Sequence, residues 1–233
     1  MNEIQDILKL LRTGSTEKVH RNSFQLTVFI LKMLLILVAF KALSIGLVLL
    51  LDWLEIVEKP LNINGLGFEM LLDVETLIYT SIFAPILEEI SFRLPLRFSK
   101  WNVFLATIGL SFITCKVIFE LGWWYSFFPS LAIGVVILSM ISETNKPHCV
   151  AFWQNHKKII FYGLLLTFGF LHLKNYDLTF NLLVFSPIII LPRFLGGLVF
   201  SYVRLSSGIV LAICFHAFNN SIYRIITFIF ISS

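Results

Sequence analysis

The chain alternates between long apolar runs and shorter polar connections. Lipid offers the backbone no hydrogen-bond partners, and the alternating pattern of barrel strands is absent, so each run is predicted to be a helix. A helix needs about 20 residues to cross a bilayer. Seven runs come close to this length, near 24–51, 76–96, 102–120, 126–142, 158–173, 180–200 and 207–231. The pattern predicts an all-α fold, a polytopic transmembrane helix bundle with about seven spans.

The first polar segment, residues 1–23, differs from the later connections. Charged residues alternate in it with a weak apolar stripe, which is typical of a short amphipathic helix at a membrane surface. The stripe consists of Ile4, Ile7, Leu8 and Leu11. The apolar core and small-residue cleavage site of a signal peptide are not found here. We expect a cytoplasmic amphipathic or interfacial segment over 1–23 and a single transmembrane domain over 24–231.

Composition agrees with a membrane domain. Of 233 residues, 58% are hydrophobic and 14% are charged, and the mean hydropathy is +0.87. Soluble domains average about 45–50% apolar and about 25% charged residues, and a chain this short cannot bury such an excess in one core. A water-soluble enzyme is therefore not expected. No basic stripe with interleaved aromatic residues is present, so nucleic acid is not expected as a partner.

Basic residues mark one set of alternate connections. Ten lie in the first, third, fifth and seventh polar segments, namely Lys9, Arg12, Lys18, Arg21, Arg97, Lys100, Lys146, Lys157, Lys158 and Arg204. The other connections hold Lys59 and Lys174. Because cytoplasmic loops carry the excess of Lys and Arg, the N-terminus is predicted to be cytoplasmic. The expected location is the plasma or inner membrane, or the endoplasmic reticulum membrane in a eukaryote.

The second run contains charged residues where lipid makes charge expensive. Such residues pair with one another or line a cavity, although lysines with long stems, such as Lys41, are expected to snorkel to the interface. Glu89 and Arg93 are four residues apart on one helical face, so they are predicted to form an ion pair. Glu88 is rotated by about 100° and remains available to face something else, which makes it a candidate general base or acid.

Two later apolar runs each contain a histidine four residues from an aromatic or amide side chain. Phe168 precedes His172 by four residues and could pack against its ring. His216 and Asn220 are also four apart, so both project from one helical face. Two donors converging in a site of low dielectric could hold a developing oxyanion. The combination predicts a buried hydrolytic site.

In chain order, Glu88-Glu89-xxx-Arg93, Phe168-xxx-His172 and His216-xxx-Asn220 resemble the three motifs of the CPBP (CAAX protease and bacteriocin-processing, or Abi) family of intramembrane glutamic endopeptidases. The resemblance covers about 76–225. It implies a peptidase without a metal or other cofactor, in which Glu88 activates a water and His172 helps to hold it. His216 with Asn220 would form the oxyanion hole, and Glu89 and Arg93 would be supporting residues.

The resemblance also implies the class of partner. Family members cleave the tail of prenylated CAAX proteins or take part in bacteriocin maturation and self-immunity. A peptide or protein substrate is therefore expected, lipidated or membrane-bound, with membrane lipid around the protein.

The chain departs from the family pattern in spacing and depth. Family members place the second motif within one helical hairpin of the first, whereas 84 residues separate Glu88 from His172. Phe112-xxx-Lys116 has the usual spacing but no histidine, so His172 is taken as the counterpart. The predicted topology also places Glu88 in the cytoplasmic half of its span and His172 near the outer end of its own, which calls for shifted boundaries or a bent helix.

Two other classes of protein remain open. Glu88, His172 and His216 could bind Zn²⁺ as two histidines and a carboxylate, although the HExxH pattern is absent. A non-catalytic immunity or interaction protein, or a proton-coupled transporter, could use the same residues as a relay. Many transporters contain two similar halves, and the sequence shows none.

Overall fold

The structure of the protein is a computed structural model, which describes residues 3–56, 74–176 and 179–232. These residues form helices and no β-strand, so the all-α class is confirmed. The α-helices are α1 (Glu3–Thr13), α2 (Ser23–Trp53), α3 (Val74–Ile78), α4 (Ala84–Glu88), α5 (Lys100–Val117), α6 (Trp123–Met140), α7 (Lys146–Asn155), α8 (Lys157–Leu171), α9 (Phe180–Val184), α10 (Ser186–Ile189), α11 (Leu191–Ser207) and α12 (Ile209–Ser232). Single π-helical turns span Tyr79–Phe83 and Glu89–Arg93, and 3-10 turns span Leu94–Leu96 and His172–Asn175.

Two of the described helices, α2 and α6, are both long and apolar enough to cross a membrane. A shorter apolar stretch covers Ile209–Ile222 of α12. The seven spans and the cytoplasmic N-terminus therefore stay predictions. Lys59, which entered the charge comparison, lies outside the described residues.

The predicted run over 180–200 is wrong as a single helix. Three helices, α9, α10 and α11, replace it, and prolines stand in the first turns of α10 and α11, where the missing backbone N–H is tolerated. The last of them continues to Ser207 and stops at Gly208, whose φ is +112°. The predicted connection around Arg204 is therefore wrong as well. Arg204 is 8% exposed within α11, and its Nε donates to the Arg93 carbonyl oxygen.

Helix α11 forms the centre of the bundle. Every residue from Gly196 to Ser206 is buried, because α2, α8 and α12 all pack around this helix. The buried apolar side chains of α2 and α8 meet it in one continuous core, which includes Phe29, Met33, Leu37, Phe161, Leu165, Leu198, Val199, Tyr202 and Val203.

The amphipathic N-terminal helix α1 is docked on this core. Ile7 and Leu10 are buried, while Ile4 and Leu8 remain exposed. The Tyr162 hydroxyl donates to the backbone carbonyl of α1 at Leu11. The predicted stripe is therefore divided between a face that contacts the bundle and a face that does not.

The two runs that separate the first motif from the second form a hairpin, α5 and α6. Helix α5 lies against the π turn Glu89–Arg93. The approach is close, because a Cβ at Gly109 would overlap the Ser91 Oγ. The hairpin therefore packs on one side of the first motif and leaves another side for α8.

Candidate active site

The segment that carries the paired glutamates changes its helical register twice. Ala84 donates its N–H to the Tyr79 carbonyl, and Leu94 donates to the Glu89 carbonyl, so each π turn contains one residue more than an α turn. Pro85, which has no N–H to donate, stands between these turns. Single π turns of this kind are frequent at functional sites. The sequence predicted an uninterrupted α-helix here, and this part of the prediction is wrong.

Both glutamates face His216 on α12. The His216 Nδ1 lies 2.9 Å from the Glu89 Oε1, and its Nε2 lies 3.7 Å from the Glu88 Oε2. The imidazole is held in this orientation by Phe200, whose ring stacks on it with 4.1 Å between centroids and 20° between planes. His216 therefore bridges two carboxylates that are adjacent in the sequence.

The two carboxylates differ in their access to water. The Glu89 side chain is fully buried, whereas 21% of the Glu88 side chain is exposed. An ionised carboxylate only accepts hydrogen bonds, so an ionised Glu89 accepts a hydrogen bond from the N–H at His216 Nδ1. Glu88 is therefore the more exposed member of the pair.

Arg93 balances the buried charge and joins the first motif to the second. Its Nε lies 3.7 Å from the Glu89 Oε1, as their spacing of four residues predicts. Its guanidinium carbon lies 3.8 Å from the centre of the Phe168 ring, a cation–π geometry. Phe168 also contacts Phe92 edge-on, with 5.4 Å between centroids.

His172 begins the 3-10 turn after α8. Its Nδ1 lies 2.7 Å from the Phe168 carbonyl oxygen, and the rings of the two residues are 4.7 Å apart. Among the described residues, no hydrogen bond joins His172 to Glu88, although Glu88, Arg93 and Arg193 lie near enough to act electrostatically on its ring. The motif's phenylalanine is therefore packed inside the site, and its histidine lies beside it.

Contacts between α8 and the first motif show how the two segments are aligned. Leu164 shares a cavity wall with Pro95, and one turn later Phe168 contacts Arg93. Helix α8 therefore runs antiparallel to the segment that carries the first motif. His172, a turn beyond Phe168, therefore lies on the glutamate side of Arg93.

Asn220 lies one turn beyond His216 but binds elsewhere. Its Nδ2 donates to the Thr80 carbonyl oxygen at 3.1 Å, within the first π turn. Its Oδ1 accepts from the Nδ2 of Asn219, also at 3.1 Å. An amide nitrogen carries two N–H groups, so the bond to Thr80 leaves one of them for a further acceptor.

Phe112 and Lys116, which have the family's usual spacing without its histidine, turn away from the glutamates. The Phe112 ring packs on Trp123 of α6. The Lys116 Nζ donates to the Leu121 carbonyl oxygen and lies 5.7 Å from the Trp123 ring. Both side chains therefore belong to the connection of the α5–α6 hairpin.

Sequence reasoning missed three contributors to the site, Thr80, Phe200 and Gly197. A Cβ on Gly197 would lie 3.0 Å from the Arg93 Nη2 and 3.1 Å from the Phe168 Cδ1. The adjacent glycines at 196–197 were a usable signal, because small residues in apolar helices permit close helix contacts. Thr80 contributes through its backbone carbonyl, so its side chain offered no signal.

The histidines of the site do not belong to a metal-binding cluster among the described residues. Within residues 3–56, 74–176 and 179–232, no group of three or more His, Cys, Asp or Glu side chains is arranged to hold a metal ion. The two candidate zinc-binding histidines use their Nδ1 atoms differently, His172 on a backbone carbonyl and His216 on Glu89.

Comparison with known proteins assigns the family. The family model described as Type II CAAX prenyl endopeptidase Rce1-like matches residues 71–222, more than half of the chain, and this range includes all three motifs. The chain belongs to the Rce1-like family. No curated protein and no solved structure matches it. Membership in the Rce1-like family makes the protein a membrane-embedded protease of the CAAX-protease type, while α1 and α2 lie outside the matched range.

Proposed function

We propose that the protein is an intramembrane endopeptidase in which Glu88 activates the attacking water. The observation that carries the proposal is the unequal burial of two adjacent carboxylates that share His216. Glu89 is fully buried between His216 and Arg93, whereas Glu88 is partly exposed. A general base must come within reach of the proton that it abstracts, and Glu88 is the more exposed of the two carboxylates.

In the proposed reaction, Glu88 takes a proton from water as the water oxygen bonds to the carbonyl carbon of the scissile peptide. The carbonyl oxygen becomes an oxyanion, and the remaining N–H of Asn220 is a candidate donor to it. His216 donates from its Nδ1 to Glu89, and its Nε2 lies 3.7 Å from the Glu88 Oε2. Collapse of the intermediate breaks the C–N bond, and Glu88 returns its proton to the leaving amine.

The remaining roles follow the resemblance of the motifs. His172 helps to hold the water, and Glu89 with Arg93 supports His216 and the helix that carries Glu88. The substrate we propose is a peptide or protein with a CAAX-type C-terminal tail, prenylated on its cysteine, at a plasma, inner or endoplasmic reticulum membrane. No metal or organic cofactor has a role in this scheme.

Cleavage of a quenched fluorescent peptide by the detergent-purified protein tests the proposal. Glu88→Gln is expected to lower kcat by about 10²–10⁴-fold, because the amide cannot accept the proton. Glu143→Gln, a change of the same kind at an exposed carboxylate, is the matched control and should cleave at the wild-type rate. Retained cleavage by Glu88→Gln would sink the glutamate mechanism.

The substrate class needs a separate comparison. We would measure kcat/KM for one CAAX-ended peptide with and without a farnesyl group on its cysteine, using the same wild-type preparation. A higher value for the farnesylated peptide supports a prenylated substrate. Equal kcat/KM values for the two peptides would contradict a prenylated substrate. The role of Glu88 would still be tested separately by the Glu88→Gln variant.

A further inference from the structure

Lys41 lies on the inward face of α2, although a lysine in an apolar helix is expected to snorkel. The buried residues of α2 include Leu37 and Ser44, which lie four residues before Lys41 and three residues after it. Side chains at this spacing share one face of a helix. The Lys41 ammonium therefore points toward the bundle.

Its hydrogen bond leads to the candidate active site. The Lys41 Nζ donates to the Asn219 Oδ1 at 2.8 Å, Asn219 donates through its Nδ2 to the Asn220 Oδ1, and Asn220 donates to the Thr80 carbonyl. The chain of bonds thus runs from α2 through α12 to the first π turn. Its last donor, Asn220, is the residue that the proposed function uses at the oxyanion.

The donors and acceptors in this series of hydrogen bonds have one fixed order. An ammonium has donors only and a backbone carbonyl is an acceptor only, so the two ends impose the same orientation on both amides. Without Lys41, the Asn219 oxygen loses its donor, and the Thr80 carbonyl is the one remaining end that orients the two amides. The Asn219 amide is then held through Asn220 alone, so the Asn220 amide is fixed less firmly toward Thr80.

We propose that Lys41 is a positioning residue, which acts through Asn219 to keep the donor side of the Asn220 amide toward Thr80 and the reacting carbonyl. The inference rests on the proposed function. It extends that function to a helix outside the range matched by the family model, which begins at residue 71.

Peptide cleavage by Lys41→Met, Lys41→Arg, Asn219→Leu and the double variant Lys41→Met with Asn219→Leu tests the proposal in the full-length protein. Misplacing a group that acts on the transition state lowers turnover more than binding, so Lys41→Met should lower kcat about tenfold or more and change KM less than about twofold. Lys41→Arg keeps a donor-only cation and should recover most of kcat. The double variant should be no slower than the slower single variant.

Lys32→Met is the matched control. Lys32 is on the same helix but pairs with Glu3, so its loss should leave kcat unchanged. Wild-type kcat in Lys41→Met, no recovery in Lys41→Arg, or losses that multiply in the double variant would each overturn the relay.

A second readout separates this inference from the proposed function. If the wild-type protein cleaves no peptide, or if Glu88→Gln still does, the proposed function fails. The melting temperatures of the same four variants then test the relay by themselves. A double variant that melts no lower than its less stable single variant supports the bond between Lys41 and Asn219, and additive losses contradict it.

Discussion

The guanidinium carbon of Arg93 lies 3.8 Å from the centre of the Phe168 ring. These residues belong to two motifs separated by the whole α5–α6 hairpin, and their contact aligns the helices that carry the glutamates and His172. On its other side, Arg93 meets the fully buried carboxylate of Glu89. One side chain therefore joins the two motifs and balances the charge between them.

Replacement of Arg93 by Met should destabilise the fold strongly. Breaking a buried ion pair from one side leaves the other charge uncompensated, which costs about 3–5 kcal/mol. The free energy of unfolding, measured by denaturation in mixed micelles, checks this value. Arg12→Met is the control, because Arg12 is exposed on α1 and its loss should stay within about 0.5 kcal/mol. Equal stability of the two variants would mean that Arg93 does not hold the site together.

A methyl group at Gly197 should also destabilise the protein. Its Cβ would lie 2.8 Å from the Leu165 Cδ1 and 3.0 Å from the Arg93 Nη2, and a shift of the guanidinium would disturb its contacts with Glu89 and Phe168. Overpacking of this kind costs about 1–3 kcal/mol.

Gly163 on α8 offers the matched control for Gly197. A Cβ there meets no atom within 4 Å, so Gly163→Ala should stabilise the helix by up to about 1 kcal/mol. Melting temperatures of the two alanine variants should therefore move in opposite directions. A shared direction would contradict close packing at Gly197.

Loss of the Asn220 amide should affect turnover more than substrate binding. Removing one oxyanion donor costs about 10²–10³-fold in kcat, and Asn220→Ala is expected to fall in this range with a nearly unchanged KM. Steady-state kinetics on the fluorescent peptide measure both constants. Asn145→Ala, at an exposed position, should behave as wild type. An effect of Asn220→Ala confined to KM would place the amide in substrate binding instead.

Chelators should leave cleavage unchanged, because the proposed base is a carboxylate and the water needs no metal. Initial rates are compared before and after prolonged incubation with EDTA or phenanthroline. A loss of activity that added Zn²⁺ restores would favour the zinc-dependent alternative.

Helical spacing predicted the part of the site that lies within single helices. The pairing of Glu89 with Arg93 and the packing of Phe168 on His172 follow from side chains four residues apart. Partners on different helices could not be obtained in this way. That His216 meets Glu89 depends on how α12 packs against the π turn Glu89–Arg93, and that Lys41 meets Asn219 instead of snorkelling depends on how α2 packs against α12.

Helix boundaries were predicted less well than helix faces. Apolar runs were delimited by polar residues, so Arg204 was assigned to a connection although it is buried in α11. The prolines at 187 and 192 were the better signal for where the segment breaks. The two π turns could not be predicted from the hydrophobic pattern. A residue in a π turn of an apolar helix is as apolar as its neighbours in α turns, so the run looks the same in the sequence.

These π turns decide where the first motif tolerates a change in the length of its helix. A π turn holds one residue more than an α turn, so loss of one residue within Tyr79–Phe83 is absorbed when that turn closes to an α turn. The same loss within the α-helical segment Ala84–Glu88 would turn everything after it by about 100°. Single-residue deletions within Tyr79–Phe83 should accordingly displace Glu89 from His216 less than single-residue deletions within Ala84–Glu88.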